Sequence, residues 1–191
     1  MRKKIMVLGS LAIAITLSAC AGDEKETNTQ ENIDMNTEES KSMDHSSMDM
    51  SGSGEVPNGL KVAENPTFEV GSQAIIGTDH MEGMKGAEAT IVGAYDTTVY
   101  TVSYTPTTGG ERVENHKWVI HEELEDPQTA PLDPGTEVVL NAEHMEGMEG
   151  ATAEIDSAEE TTVYMVDYTS TTGEKVTNHK WVTESELSQT K

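Results

Sequence analysis

The sequence predicts an all-β protein: two tandem small SH3-like β-barrel repeats behind a signal peptide and a disordered acidic tether. Three observations carry this. Gly71–Gly109 aligns with Gly135–Gly173 at a constant offset of 64, and past the extra Gly110 the offset becomes 63, so His116, Trp118 and Leu124 align with His179, Trp181 and Leu187. Within each copy the apolar period is two: Tyr100, Val102 and Tyr104 alternate with Val99, Thr101 and Ser103, and Tyr164, Val166 and Tyr168 repeat the pattern. Glycine-bearing loops, Thr107–Gly110 and Thr171–Gly173, then punctuate each copy as hairpin turns do.

The elements follow in order. Residues 1–19 read as a lipoprotein signal peptide: Arg2, Lys3 and Lys4, an apolar run from Ile5 to Leu17, then small residues. Leu17-Ser18-Ala19-Cys20 matches a lipobox, so Cys20 is expected to carry the lipid anchor at the outer face of a Gram-positive-type cytoplasmic membrane. Residues 20–58 are Asp-, Glu-, Ser-, Thr- and Asn-rich and bury too little apolar surface to offset chain entropy. Residues 59–126 and 127–191 are the two repeats. In each, Ala74–Ile76 or Val138–Leu140 is a first strand and Ala87–Val92 or Ala151–Ile155 a second. The tyrosine strand comes next, and Asn115–Ile120 or Asn178–Thr183 closes the copy with its tryptophan. The Pro-rich stretch 125–134 is the expected linker, and each copy is expected to fold and bind metal alone.

Charge and composition exclude some functions. From Cys20 onward nine Lys and Arg face 35 Asp and Glu, a net charge of −26, which repels nucleic acid and favours cationic partners. One cysteine excludes a disulfide framework or a cysteine-based zinc site. No nucleophile motif or enclosed acid/base pair is evident, so an enzyme is not expected.

Metal binding has more support. His80 precedes Met81 and Met84, His144 precedes Met145 and Met148, and Met43, Met48 and Met50 surround His45. Thioether sulfur is soft and never protonated, which suits Cu(I), while imidazole accepts both copper oxidation states. A bend at Glu82-Gly83 or Glu146-Gly147 would let paired methionines converge. Methionine is also a good core filler, and Met81 and Met84 would equally pack beneath Trp118. The 43–50 cluster lies in chain that has no core to fill. His116 and His179 are further candidate partners, whereas His121 aligns with Glu184 and is read as incidental.

The paired His-Met-x-Gly-Met-x-Gly-Ala, Thr-Val-Tyr and Asn-His-Lys-Trp-Val blocks, with the lipobox and the Met/His-rich tether, resemble the YdhK-type, CopL-like copper-binding lipoproteins. The resemblance implies a surface-anchored protein that protects against copper alongside copper-exporting ATPases. It implies His80, Met81, Met84, His144, Met145 and Met148 as ligands, with His116 and His179 as partners. The expected function is therefore a membrane-anchored binder that sequesters or transfers Cu(I), with Cu(II) as a second guest. The rival is a cell-wall or peptide-binding module without metal, using Tyr95, Tyr100, Trp118 and their counterparts as an aromatic face.

Overall fold

The structure is a computed structural model and describes residues 51–190. Eight strands make one antiparallel sheet: β1 (Lys61–Val62), β2 (Gln73–Ile76), β3 (Glu88–Tyr104), β4 (Val113–Ile120), β5 (Glu137–Val139), β6 (Thr152–Thr169), β7 (Lys175–Thr183) and β8 (Leu187–Gln189). The all-β expectation holds, and no α-helix occurs among the described residues. The barrel expectation does not hold. The sheet runs β5-β6-β3-β2-β8 with β1, β4 and β7 branching from β3 and β6, and it does not close.

The physical reason lies in β3 and β6. The second and third expected strands of each copy are not separated by a turn. They fuse into strands of 17 and 18 residues, because the connecting stretches Tyr95–Thr98 and Glu159–Thr162 carry β-branched threonines and no breaker. The two long strands then pair with each other from Ala89↔Tyr168 to Tyr104↔Ala153. A barrel of one copy would need these strands to bend back on themselves; pairing across copies satisfies their backbone groups instead. Thr97 pairs with Thr161, its own equivalent at offset 64, so a local twofold axis passes through this pair.

The ends of the copies are exchanged about that axis. Leu187, at the end of the second copy, pairs with Ile76 of the first, and Leu124 of the first bridges Leu140 of the second. The cores follow the exchange. One apolar cluster joins Ile76, Met84, Ala87 and Ile91 to Tyr164, Val166, Val182 and Leu187. The other joins Tyr100, Val102, Val119 and Leu124 to Leu140, Met148, Ala151 and Ile155. Each core thus combines the first half of one copy with the second half of the other. The expectation that a single copy is a self-sufficient module is corrected by this arrangement.

Residues 51–55, expected as part of the tether, also bond to the sheet. Gly52 N–H donates to Thr177 O at 2.8 Å, Thr177 N–H donates to Ser51 Oγ at 3.1 Å, and Lys180 Nζ donates to Glu55 O at 2.8 Å. The last part of the expected tether therefore lies along β7. A Cβ at Gly52 would stand 2.5 Å from Asn178 O, so this approach requires glycine.

Candidate metal centre

The exchanged ends carry two glutamates into the opposite copy. Each lies in a short 3₁₀ turn, His121–Glu123 or Glu184–Glu186, that follows its tryptophan strand. Glu186 accepts from His80 Nε2 at 2.7 Å and from the Trp118 indole at 2.9 Å. Glu123 accepts from His144 Nε2 at 2.8 Å and from the Trp181 indole at 3.1 Å. Backbone N–H groups of Thr183 and Ile120 complete the two carboxylates at 3.0 and 3.2 Å. Burial pushes Glu186 upward, but the bonds from His80, Thr183 and Trp118 outweigh it and hold its carboxyl down at about 2.

An ionised carboxylate only accepts, so each of these histidines donates from Nε2, and in the neutral ring Nδ1 is the free lone pair, facing the other way. His80 Nδ1 and His144 Nδ1 are buried without a hydrogen-bond partner among the described residues. A carboxylate behind an imidazole whose second nitrogen is free is the arrangement found behind metal-bound histidines.

His116 and His179 reach the same region from β4 and β7. Asn115 and Asn178 precede them in the left-handed conformation, at φ 52° and 53°, which asparagine tolerates better than most residues. Their N–H groups bond to Ser103 Oγ (3.1 Å) and Asp167 Oδ1 (2.7 Å) rather than to the ladder, and the register shifts on both sides of Val102 and Val166. Such irregularities re-aim the neighbouring side chain. Tyr104 and Tyr168 each stand edge-on to the following histidine, at 6.0 and 5.8 Å between ring centres. Burial holds His116 down to about 4, helped by His144 and His80; burial does the same for His179, helped by His80 and His144. Both rings are neutral at neutral pH, and both Nε2 atoms are buried and unpartnered.

Four imidazoles within electrostatic reach of one another thus present four desolvated, unpaired nitrogens. Leaving one such atom unpaired costs about 1–3 kcal/mol, and native proteins usually give such groups an ordered water or an ion. Neutral imidazole nitrogen backed by carboxylate is a donor set that copper or zinc fits. Among the described residues no three His, Cys, Asp or Glu side chains already form one ligand set, and the rings His116 and His144 stand 6.1 Å apart.

The methionines divide. The bend at each Met-Glu-Gly-Met forms, with Met84 N–H donating to Met81 O and Met148 N–H to Met145 O, both at 3.2 Å. Met84 and Met148 are fully buried in the two separate apolar cores. Met81 is half-buried and lines a cleft of about 630 Å³ with His144, His179 and Glu123. Met145 is half exposed, and Tyr104 Oη donates to its sulfur at 3.9 Å. His121 pairs with the Tyr100 hydroxyl at 3.0 Å, away from this cluster. Met43, His45, Met48, Met50 and the lipidation site Cys20 lie outside the described residues. Glu123 and Glu186 were not legible as site residues among so many carboxylates. Their only signal is position: both directly precede the aligned leucines Leu124 and Leu187.

Comparison with known proteins finds relatives over most of the chain. It is 61% identical over 179 residues to the uncharacterized protein YdhK of Bacillus subtilis (strain 168), covering 93% of this chain and 85% of the relative. The crystal structure of that bacterium's YdhK, a DUF1541 family protein, superposes with a TM-score of 0.73 at 68% identity, covering 76% of this chain and 100% of the other. The solution NMR structure of the YdhK C-terminal domain gives 0.61 at 72% identity, over 63% of this chain and 92% of the other. The model of the protein family of unknown function DUF1541 matches residues 70–121 and again 134–184, the two copies whose exchanged ends build the histidine cluster. The chain belongs to the DUF1541 family, with two copies of its domain.

Proposed function

We propose that the protein is a copper-binding lipoprotein, anchored through Cys20 at the outer face of the cytoplasmic membrane, that sequesters copper and limits its toxicity. The observation that supports this most is the set of four buried imidazole nitrogens without partners, two of them backed by carboxylates. Cu(I) is the favoured guest and Cu(II) the second, because imidazole serves both and nearby Met81 and Met145 add soft sulfur. The strong net negative charge draws cations towards the surface. On this reading the protein binds rather than catalyses, and a copper-exporting ATPase system would remove what it collects.

The cell-wall or peptide-binding reading has less support from burial: Tyr100, Tyr164 and Trp181 are fully buried and Trp118 nearly so, while Tyr95 is half-buried. The deciding experiment is an anaerobic Cu(I) titration of the unlipidated chain from Ala21 against a chromogenic chelator. Tight uptake of copper is expected. A chain that leaves all copper with the chelator, and retains none on dialysis, refutes the reading.

A further inference from the structure

We propose that copper is held at two equivalent sites, each taking its histidines from both copies: His116, His144 and Met145 form one, and His80, His179 and Met81 the other. The inference rests on the copper reading above and adds which side chains share an ion.

The pairing comes from geometry. His116 belongs to the first copy and His144 to the second, yet their rings are 6.1 Å apart and tilted by 38°. Two imidazoles on one ion at ~2 Å put their ring centres roughly 6.4 Å apart when opposed and roughly 5 Å apart when bent to a tetrahedral angle. The observed separation lies near the opposed limit, a geometry suited to a low-coordinate d¹⁰ ion such as Cu(I). The nitrogens left free are His116 Nε2 and His144 Nδ1. Offset 64 turns His144 into His80, and offset 63 turns His116 into His179, so the twofold through Thr97 and Thr161 generates the second pair.

Sulfur completes each pair. Met145 follows His144 in the chain, and its sulfur accepts from Tyr104 Oη, whose ring stands edge-on to His116. Met81 follows His80 in the chain and lines a cleft with His179, which His144 also reaches. Met84 and Met148 are excluded, because each is enclosed by aliphatic and aromatic side chains of its own core. Two neutral nitrogens and one thioether make a soft, uncharged set that favours Cu(I) over Zn(II).

Two double variants separate the models, tested in the chain from Ala21 with M43S, H45S, M48S and M50S so that the tether adds no ligand. Anaerobic Cu(I) is titrated against a chromogenic chelator, with near-UV circular dichroism confirming the fold. The background chain should bind two equivalents. H116A/H144A removes one whole site and should leave one tight equivalent. H80A/H116A removes one ligand from each site and should weaken both at least 100-fold. One tight equivalent surviving in H80A/H116A, with none in H116A/H144A, would place each site inside one copy and overturn the proposal. Loss of all binding in both variants would indicate a single four-histidine centre and also overturn it. A background chain that takes up no copper instead defeats the copper reading itself. If a double variant loses its fold, Ag(I) titration of the unmutated histidines followed by ring ¹⁵N NMR decides. His116 must shift with His144 and His80 with His179; His116 shifting with His80 overturns the pairing.

Discussion

Trp181 donates its indole N–H to both carboxylate oxygens of Glu123 at 3.1 Å, although the two residues belong to different copies and lie 58 positions apart. Glu123 is buried, and this bond, the one from His144 and the Ile120 N–H together make its burial tolerable. Glu123→Gln keeps the shape but removes the charge that both donors face. A loss of about 1.5–3 kcal/mol is expected, the usual worth of a charge-assisted hydrogen bond, read from urea unfolding. Copper affinity should fall roughly 10–100-fold, as for other partners behind a ligating histidine. An unchanged affinity in the folded variant would remove Glu123 from the site.

Because each core joins halves of both copies, residues 127–191 alone should have no folded monomer. Their amide NMR spectrum at low micromolar concentration should lack the dispersion of a β-sheet. The two-copy chain should instead unfold in one transition, with calorimetric and van't Hoff enthalpies equal. Two separate transitions, or a dispersed spectrum from a monomeric fragment, would contradict the exchanged cores.

The methionines should separate by position. Met84→Leu and Met148→Leu conserve volume and should cost less than about 1.5 kcal/mol with Cu(I) affinity retained. Met81→Leu and Met145→Leu should leave the melting temperature within a few degrees yet weaken Cu(I) more than Cu(II). Equal copper affinity in all four variants would confine the role of sulfur to packing.

These contrasts show what the sequence allowed one to read. The repeat, the period of two and the tryptophan strand were legible because they are local patterns. The fusion of strands through Tyr95–Thr98 was not, since Asp96 between two strand patterns also reads as a turn residue. The exchange of ends was hidden for a different reason: offset 64 identifies equivalent residues but not which copy they pack against. His80 and His144 were legible as candidates from their motif. Their carboxylate partners, 106 and 21 positions away, could be seen only in three dimensions.

Acid should destabilise the metal-free protein in two stages. His116 and His179 are held near 4, whereas an unfolded chain protonates its histidines near 6.5. Between these values the unfolded state binds more protons, so stability is full above pH 6.5 and declines as pH falls towards 4. The slope is about 1.4 kcal/mol per pH unit for each histidine. Glu186, held near 2 against an ordinary 4.5, adds a further loss as pH falls from about 4.5 towards 2. Urea midpoints at pH 7, 5.5 and 4.5 check the first stage. A midpoint that stays constant, or that rises on acidification, would contradict it.

Cys20→Ala should release the protein from the membrane fraction or leave it as the unprocessed precursor. The described residues include no helix long and apolar enough to cross a bilayer, so the lipid is the expected hold. Unchanged membrane retention with normal cleavage after Ala19 would refute the lipobox.

The twofold through Thr97 and Thr161 gives the duplication a kinetic meaning. A lone copy would recreate the shared cores and the histidine pairs only by meeting an identical chain, so its folded fraction would rise and fall with abundance. The covalent link between the copies replaces that encounter with an intramolecular one, at an effective concentration of about millimolar for a short connection. Sparse molecules would then each keep a complete histidine cluster, however far they stand from the next.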